Sequence, residues 1–337
     1  MGATCFIIAL LHGRCRRMKL IRGLHNLKPF ASGCVATIGN FDGVHIGHQV
    51  IISQLQSRAE SMGVPAVVMV FEPQPREFFE KLDAPPRLMR FREKLDAIAA
   101  LNVDYLLCLQ FNRRLRGLTA QQFIDDVLVT GLHVKHLVVG DDFRFGCDRS
   151  GDFRLLEKSG LVSGFSVENT PTVEVEGERV SSTRIRATLA QGEFTQAEDL
   201  LGRPYSITGC VVHGRKLGRQ LNAPTANVSL GRKRPVLSGV YLVKTTLATG
   251  HVRFGVANIG VRPTIDGLGV TPALEVHLFE HADDIYGQRI NVQFLEKLRD
   301  ERKFSGLEQL QAQIQRDIEG AKRRLQSMPL HSVSGAG

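Results

Sequence analysis

Apolar residues in the first half of the chain follow two alternating patterns. Continuous apolar runs, typical of buried strands, occupy residues 34–41, 64–73, 103–109 and 135–143. Between these runs, apolar residues recur at helical spacing over residues 48–63, 90–102 and 119–132. Buried strands that alternate with amphipathic helices predict βαβ units and a parallel sheet covered on both faces. Such sheets bind ligands beyond the carboxyl ends of their strands.

The pattern changes after Leu201–Gly202–Arg203–Pro204. Short runs with alternating apolar residues, separated by Gly and Pro, occupy residues 206–214, 238–247, 251–260 and 273–280. Repeated short strands of this kind predict a small antiparallel barrel or sandwich. Helical spacing returns over residues 295–326, which predicts a final helix packed on the barrel. We therefore predict an α/β domain over residues 18–187, a linker over 188–204, a β domain over 205–327 and a flexible tail over 328–337.

Charge and cysteine content narrow the class of protein. The 337 residues include 43 Lys and Arg against 34 Asp and Glu, a net charge of +9 that favours an anionic partner: nucleic acid, a membrane surface or a phosphate-bearing small molecule. The six cysteines form no CxxC pair, so we expect reduced thiols in a cytoplasmic protein rather than a zinc or redox site. No apolar run approaches the ~20 residues of a membrane span. In residues 1–17 a basic cluster follows the apolar run, the reverse of a signal peptide, so we interpret them as an extension or a misassigned start.

The segment from Gly39 to His48 carries the clearest chemistry. Its predicted position between a strand and a helix offers free backbone N–H groups to an anion, and glycine lets a ligand approach the backbone. His45 and His48 are three residues apart, so both can reach one phosphate and stabilise charge on a bridging oxygen. The alternative is that the histidines only cap the helix. The candidate phosphate-binding residues beside them are Gly39, Asn40, Phe41, Asp42, Gly43 and Gly47.

These residues spell GxFDGxHxGH, which resembles the HxGH signature of the nucleotidylyltransferase superfamily. The surrounding sequence resembles the bacterial bifunctional riboflavin kinase/FAD synthetase family. Further stretches that carry the resemblance are 71–79, 138–152, 180–192, 224–228, 239–244, 255–264, 274–279, 285–287 and 298–314. They follow in order from about residue 18 to 325. The resemblance implies a Rossmann-like nucleotidylyltransferase domain followed by a riboflavin kinase barrel with a terminal helix.

A second predicted phosphate site lies at Ser181–Arg186. Hydroxyl groups at the start of a helix cap its amides and can also bind phosphate, and a nearby arginine adds charge-assisted hydrogen bonds to the phosphate. Alone, such a cluster is more often only a cap. The resemblance implies that it holds the nucleotide triphosphate through Ser181, Ser182, Thr183 and Arg186, with Arg184 a weaker candidate.

Two other loops at the sheet edge are less informative. The turn at Asp142 and Phe143 could be a simple Asx-turn after a strand, whereas the resemblance implies nucleotide or flavin contacts. At Gln74 many members of the family have His. An amide can donate a hydrogen bond but carries no charge, so we leave Gln74 out of the predicted site.

His133 and His136 have HxxH spacing, but without nearby ligands we do not interpret them as a metal site.

In the second domain the resemblance marks Glu275 as the base for the riboflavin 5′-hydroxyl. Thr225 and Asn227 share one face of a short extended segment, and their oxygens suit Mg²⁺ that accompanies ATP. Alone, such residues are more often only turn residues, and it is the resemblance that implies the metal role. The resemblance also places a flap over the phosphates at Gly214, Lys216 and Gly218. The chain departs from the family pattern at Asn222 and Ala223, which we expect to affect kinase efficiency more than kinase identity.

The resemblance therefore implies two consecutive reactions: phosphorylation of riboflavin to FMN, and adenylylation of FMN to FAD with release of pyrophosphate. The expected partners are riboflavin, FMN and ATP, with no nucleic acid or membrane, and the oligomeric state stays open between a monomer and a weak oligomer. One alternative is a monofunctional FMN adenylyltransferase with a weakened kinase half. Another is a basic nucleic-acid-binding protein, which would show a clustered Lys and Arg stripe with interleaved aromatic residues. The basic residues are instead spread along the chain.

Overall fold

A computed structural model describes residues 17–213, 224–231, 234–263, 270–279 and 284–328. The chain divides into two compact units. The first comprises Met1–Gly39, Ile51–Glu72 and Leu95–Thr170, and the second comprises Asn40–Val50, Pro73–Lys94 and Pro171–Gly337. Each unit is described by itself.

The first unit contains a six-stranded sheet in the order β1-β4-β3-β2-β5-β6. Its strands are β1 (Lys19–Arg22), β2 (Cys34–Ile38), β3 (Ala66–Glu72), β4 (Tyr105–Gln110), β5 (Val134–Gly140) and β6 (Ser166–Thr170). Every neighbouring pair is parallel, which confirms the predicted parallel sheet. All side chains of β2 are buried, as the continuous apolar run indicated.

Helices separate these strands along the chain. They are α1 (Ile46–Met62), α2 (Pro75–Glu80), α3 (Phe91–Ala99), α4 (Arg113–Arg116), α5 (Ala120–Gln122) and α6 (Phe153–Ser163). A 3₁₀ turn occupies Leu24–Asn26, and a π-helix over Phe123–Gly131 continues α5. The wider turn is visible at Leu132, whose N–H bonds to the carbonyl five residues back, at Val127 (2.9 Å). No helix in the described part of the chain is long and apolar enough to cross a membrane.

The second unit contains a closed six-stranded barrel in the order β10-β13-β12-β11-β14-β9. Its strands are β9 (Ser206–Val212), β10 (Ala226–Val228), β11 (Gly239–Thr246), β12 (Val252–Pro263), β13 (Val270–Leu278) and β14 (Arg289–Arg299). All pairs are antiparallel, and β9 closes the barrel by pairing with both β14 and β10. The predicted antiparallel barrel is confirmed.

The predicted final helix begins later than expected. Residues up to Arg299 form β14, and the terminal helix, α9, covers Leu307–Ser327. Ile290, Val292 and Phe294 alternate into the barrel core. Pairing with β9 ends at Gln293, but pairing with β11 continues to Arg299, past the predicted helix start. The terminal helix is therefore confirmed, but its predicted start at residue 295 was wrong, because the few apolar residues there fit either period.

The segment 188–204, predicted as a linker, contains regular structure. A short hairpin, β7 (Glu174–Val175) and β8 (Glu178–Arg179), precedes α7 (Ser182–Gln191) and α8 (Phe194–Leu201). Ala197 and Leu200 of α8 are fully buried in the same hydrophobic core as barrel residues of the second unit. The ring of Phe194 lies 6.1 Å from that of Phe294 on β14.

Candidate active sites

The turn that joins β2 to α1 has a constrained backbone. We call residues Asn40–His48 the histidine turn. Phe41 and Val44 have φ values of 46° and 43°, and Gly43 has a φ of 88°. A β-branched residue such as Val44 rarely adopts positive φ, so the surroundings must hold this conformation. A Cβ at position 43 would lie 2.8 Å from a methyl carbon of Leu88, so both space and backbone angle favour glycine there.

The buried carboxylate of Asp42 organises the histidine turn. It accepts hydrogen bonds from the backbone N–H groups of Leu88 (3.1 Å) and Met89 (3.2 Å). It also forms an ion pair with Arg186, whose Nη2 lies 2.5 Å from Oδ2. Ser182 Oγ donates to the Asp42 carbonyl at 2.9 Å. The carboxylate therefore connects the histidine turn to α7 and to the segment before α3.

The two histidines stack at the start of α1. Their ring centroids are 3.6 Å apart with planes inclined by 19°. His45 precedes the first helical residue, and its Nδ1 accepts the backbone N–H of His48 at 3.3 Å, so His45 does cap the helix. Because Nδ1 accepts, the proton of the neutral ring lies on Nε2, which is left as a donor. A Cβ on residue 47 would lie 3.2 Å from His45 Nδ1, so Gly47 leaves room for this arrangement.

Both imidazoles are held in the neutral form. Burial lowers the pKa of His45 to about 4, against the opposing effect of Asp42 and with the help of Arg203 and Arg179. Burial also lowers the pKa of His48 well below its ordinary value, with further contributions from His45, Lys94 and Arg203. Among the described residues, the buried Nδ1 of His48 has no hydrogen-bond partner. The pair can therefore donate hydrogen bonds at neutral pH but carries no charge.

Two cations that support the histidine turn were missed by the sequence analysis. Arg203, within the predicted linker, donates to the carbonyls of Gly43 and Val44. Lys94 of α3 is fully buried, and its Nζ donates to the carbonyl of Asn40 at 2.6 Å. Neither lies in a recognised motif. For Lys94 the only available signal was its position, because the helical pattern places this lysine on the buried face of the predicted helix.

The predicted phosphate cluster lies at the start of α7. Ser181 is the N-cap residue, and its Oγ accepts the backbone N–H of Arg184 at 3.2 Å. Thr183 is exposed. Arg186 donates from Nε to the carbonyl of Pro86 at 2.7 Å in addition to its ion pair with Asp42. The structure thus brings Ser181, Ser182 and Arg186 together with the histidine turn.

Arg184 has a different set of contacts. Its Nη1 donates to the carbonyls of Val175 and Glu178, both at 2.9 Å, and its Nε lies 3.2 Å from the Glu178 carboxylate. These contacts hold the β7–β8 hairpin against α7. They explain why Arg184 is the weaker candidate for phosphate binding.

Gln74 is the N-cap residue of α2 and is buried. Its backbone N–H bonds to the carboxylate of Glu77 at 3.0 Å, and its Nε2 is buried with no partner in the described part of the chain. Burial acts to raise the pKa of Glu77, but the bonds from Arg87 outweigh it and lower the pKa below its ordinary value. Glu77 is therefore ionised and tied to Arg87.

Two predicted site residues belong to the first unit. Gly39 directly follows β2, and its N–H bonds to the carbonyl of Met69 at 3.1 Å. Asp142 lies in the exposed turn after β5, which is closed by a bond from Phe143 N–H to the Gly140 carbonyl (3.1 Å). Both positions are at carboxyl ends of parallel strands, where ligands bind in such sheets.

On the barrel, three polar residues occupy one row across adjacent strands. Glu275 of β13 is directly opposite Asn227 of β10 on one side and Asn258 of β12 on the other. Directly opposed residues point to the same face, and their Cβ atoms are usually ~5 Å apart. Leu274 and Val276 are buried in the core, so this row, which we call the barrel row, lies on the opposite face. Asn258 was not predicted.

The remaining predicted residues are placed as follows. Thr225 precedes β10, two residues before Asn227. Gly214, Lys216 and Gly218, together with the departures at Asn222 and Ala223, lie outside the described residues, as do residues 1–16 and 329–337. His136 contacts Ser166 and Glu168, and the residues that the structure describes include no cluster of His, Cys, Asp or Glu that could hold a metal.

Comparisons with known proteins cover both halves of the chain. Residues 27–184 match the family model described as FAD synthetase, and residues 201–325 match the one described as riboflavin kinase. The chain is 55% identical over 305 residues to the bifunctional riboflavin kinase/FMN adenylyltransferase of Pseudomonas fluorescens, covering 90% of this chain and 97% of that protein. It is 51% identical over 302 residues to the protein of the same description from Escherichia coli (strain K12), covering 89% and 96%.

A solved structure gives an independent view of the fold. The crystal structure described as a macrolide-efflux protein from Streptococcus pneumoniae is 30% identical to this chain, with a TM-score of 0.72. The match covers 89% of this chain and 97% of that one. The two chains therefore share the same fold along nearly their whole length.

Proposed function

The chain belongs to the family of bifunctional riboflavin kinases/FMN adenylyltransferases, and we propose that its two reactions take place at the histidine turn and at the barrel row. The protein phosphorylates riboflavin to FMN and adenylylates FMN to FAD, with ATP as the second substrate in each step. We assign adenylylation to residues 18–187 and phosphorylation to residues 205–327, with 188–204 connecting them.

In the adenylyl transfer, a phosphate oxygen of FMN attacks the α-phosphorus of ATP. The bond from that phosphorus to the bridging oxygen breaks, and pyrophosphate leaves. The FMN phosphate is already an anion, so no strong base is required. Catalysis consists of positioning the two phosphates and stabilising the charge that develops on the bridging oxygen.

His45 and His48 are suited to that stabilisation. The neutral His45 ring has its proton on Nε2, as a donor for a phosphate oxygen, because Nδ1 is occupied by the His48 N–H. We propose that His45 and His48 are catalytic and that Gly39, Asn40, Phe41, Asp42, Gly43 and Gly47 form the phosphate-binding turn. Ser181, Ser182, Thr183 and Arg186 would complete nucleotide binding at this turn. The nucleotide contact at Asp142, in the first unit, stays a prediction from the sequence. The stacked neutral histidines at the start of α1 are the observation that carries this proposal.

Arg186 supports the site in two ways. Its Nε and Nη2 hold Pro86 and Asp42, which fixes the guanidinium beside the histidine turn. Its Nη1 has no partner among the described residues and is available to a phosphate oxygen. We therefore expect Arg186 both to hold the turn and to bind the nucleotide.

In the kinase reaction, the riboflavin 5′-oxygen attacks the γ-phosphorus of ATP and ADP leaves. We propose that Glu275 accepts the proton of the attacking hydroxyl. Its row neighbours Asn227 and Asn258 flank it on the adjacent strands. Gly214, Lys216 and Gly218 would cover the phosphates.

The donor atoms near Glu275 fit Mg²⁺. Thr225 and Asn227 offer a hydroxyl and an amide oxygen two residues apart, and Asn227 is opposite Glu275. Hard neutral oxygens of this kind suit Mg²⁺ that keeps waters and phosphate oxygens as its other ligands. We propose that Thr225 and Asn227 hold the ion, which when bound with ATP would neutralise phosphate charge. We also propose a cytoplasmic location, supported by the free thiols of the described cysteines.

The match of residues 201–325 to riboflavin kinase favours the bifunctional protein over the monofunctional alternative. The test is to incubate the chain with riboflavin, ATP and Mg²⁺ and to separate FMN from FAD by chromatography. We expect FMN to form first and FAD to follow. FAD formation from supplied FMN, with no FMN from riboflavin, would support the monofunctional alternative instead. Binding of RNA or DNA that persists at high salt would support the nucleic-acid-binding alternative.

A further inference from the structure

At Thr208 of the barrel, the backbone N–H and carbonyl are hydrogen-bonded by side chains instead of by a neighbouring strand. Thr208 lies on β9, opposite Asn291 of β14. On the other side of β9, the pairing with β10 reaches only Val211 and Val212. The N–H of Thr208 bonds instead to Glu93 Oε1 at 2.8 Å, and its carbonyl accepts Arg90 Nη2. Two side chains therefore complete the peptide bonding of this strand where β10 ends.

Arg90 and Glu93 also organise their own segment. Glu93 is buried, and its second carboxylate oxygen accepts the backbone N–H of Arg90 at 2.6 Å, at the start of α3. The two side chains approach each other at 3.8 Å. Arg90 Nη1 makes a further contact with the carbonyl of Ser229, just after β10. One ion pair thus fixes the first turn of α3 and attaches it to β9 and to the end of β10.

The same segment holds the histidine turn. The backbone N–H groups of Leu88 and Met89 bond to the Asp42 carboxylate, and Lys94 Nζ bonds to the Asn40 carbonyl. These three donors lie on both sides of Arg90 and Glu93 in the sequence. Within seven residues, the chain therefore makes polar contacts to the barrel and to the turn.

Glu93 is buried and Arg90 is 21% exposed, so both groups lose hydration when they pair, and such a pair is weak support for a purely stabilising role. Its best-attested use is to fix one arrangement among several. Here both partners bond to the two peptide groups of a single residue, Thr208, which fixes the position of α3 along β9. A shift of α3 would displace Lys94 together with the Asn40 carbonyl that it holds.

We propose that Arg90 and Glu93 are positioning residues for adenylylation: they anchor residues 88–94 on β9 so that this segment holds the histidine turn in its reactive shape. The proposal rests on the proposed function of that turn. It makes FAD formation dependent on a contact with the barrel that the kinase reaction does not use.

The test uses the full-length chain with Glu93→Gln, Arg90→Ala and Arg90→Lys. Glu319→Gln and Arg323→Ala, at exposed positions of α9, are the matched controls. In each preparation we would measure kcat and KM for FAD formation from FMN and ATP, FMN formation from riboflavin, and the melting temperature. His48→Ala is measured alongside.

Misplacement of catalytic groups by about 1 Å can lower a rate roughly hundredfold, so we expect Glu93→Gln and Arg90→Ala to lower kcat for FAD formation by roughly ten- to hundredfold. KM for ATP should change less than kcat. Arg90→Lys should restore part of the rate, because an ammonium can still donate to the Thr208 carbonyl. FMN formation should stay close to that of the controls.

Three results would overturn the proposal: equal loss of both activities, no loss of FAD formation, or no recovery with Arg90→Lys. If His48→Ala left FAD formation intact, the assignment of the histidine turn would itself be wrong. If His48→Ala removed FAD formation while the Arg90 and Glu93 variants did not, only the positioning role would fail. If Arg90→Ala does not fold, the milder changes Glu93→Gln and Arg90→Lys decide the outcome.

Discussion

The ion pair between Asp42 and Arg186 gives a direct prediction about stability. Asp42 is 3% exposed, and its carboxylate accepts three hydrogen bonds, from Leu88, Met89 and Arg186. Asp42→Asn keeps the shape of the side chain but removes the charge. Asn has one oxygen and one NH₂ group where Asp has two oxygens, so the NH₂ group must face at least one of those three donors.

The size of the effect follows from these contacts. Removing one partner of a buried ion pair typically costs about 3–5 kcal/mol. Arg186 keeps some exposure, so the lower end of that range, about 3 kcal/mol, applies here. In a folded unit of 150–250 residues each kcal/mol lowers the melting temperature by roughly 2–4 °C. We therefore expect Asp42→Asn to lower the melting temperature by roughly 6–12 °C.

The assay is thermal unfolding followed by far-UV circular dichroism, with Asp199→Asn on the exposed face of α8 as the control. FAD formation, measured well below the melting temperature, should also fall because Arg186 loses the group that orients it. A melting temperature equal to that of the control would contradict the reasoning, since it would mean that the carboxylate is not ion-paired in the folded protein.

Three further predictions concern single residues. The pKa of His45, lowered to about 4, means that the folded state binds fewer protons than the unfolded chain between pH 4 and 6.5, so stability falls as pH falls through that window. His45→Gln should therefore show a smaller drop in melting temperature from pH 6.5 to 4 than the unmodified chain. An equal drop would show that the pKa of His45 is not lowered in the folded protein. Gly47→Ala places a methyl group 3.2 Å from His45 Nδ1 and should lower kcat for FAD formation roughly tenfold with little change in melting temperature; an unchanged kcat would show that the ring position does not matter. Asn258→Ala, beside Glu275, should slow FMN formation roughly tenfold and leave FAD formation from supplied FMN unaffected, and the reverse pattern would remove Asn258 from the kinase site.

The central strands were predictable from sequence because they are continuous apolar runs. β2 and β3 are buried along most of their length, and short apolar runs bounded by turns are typical of such strands. The edge strands β1 and β6 were not predicted. β6 reads Ser-Val-Glu-Asn-Thr, whose polar residues give no strand signal, and it forms because β5 offers it a pairing edge.

The candidate sites show a similar division. The histidine turn and the start of α7 could be located because glycines, histidines and hydroxyl residues occur there in a recognisable order. Lys94, Arg203 and Asn258 were missed, since each acts through a contact made by folding: with Asn40, with Gly43 and Val44, and across the barrel row. Arg203 was even placed in a linker, because the glycine and proline on either side of it are typical of turns.

The two reactions, as we assign them, use two separate sets of residues. To test this division, riboflavin or FMN is supplied with ATP and Mg²⁺ to His48→Ala and Glu275→Ala, and the flavins are resolved by chromatography. We predict that His48→Ala converts riboflavin to FMN and stops there. Glu275→Ala should convert FMN to FAD but leave riboflavin unchanged, and an equal mixture of the two variants should convert riboflavin to FAD. Loss of both reactions from either single substitution would show that the two sites are not separate.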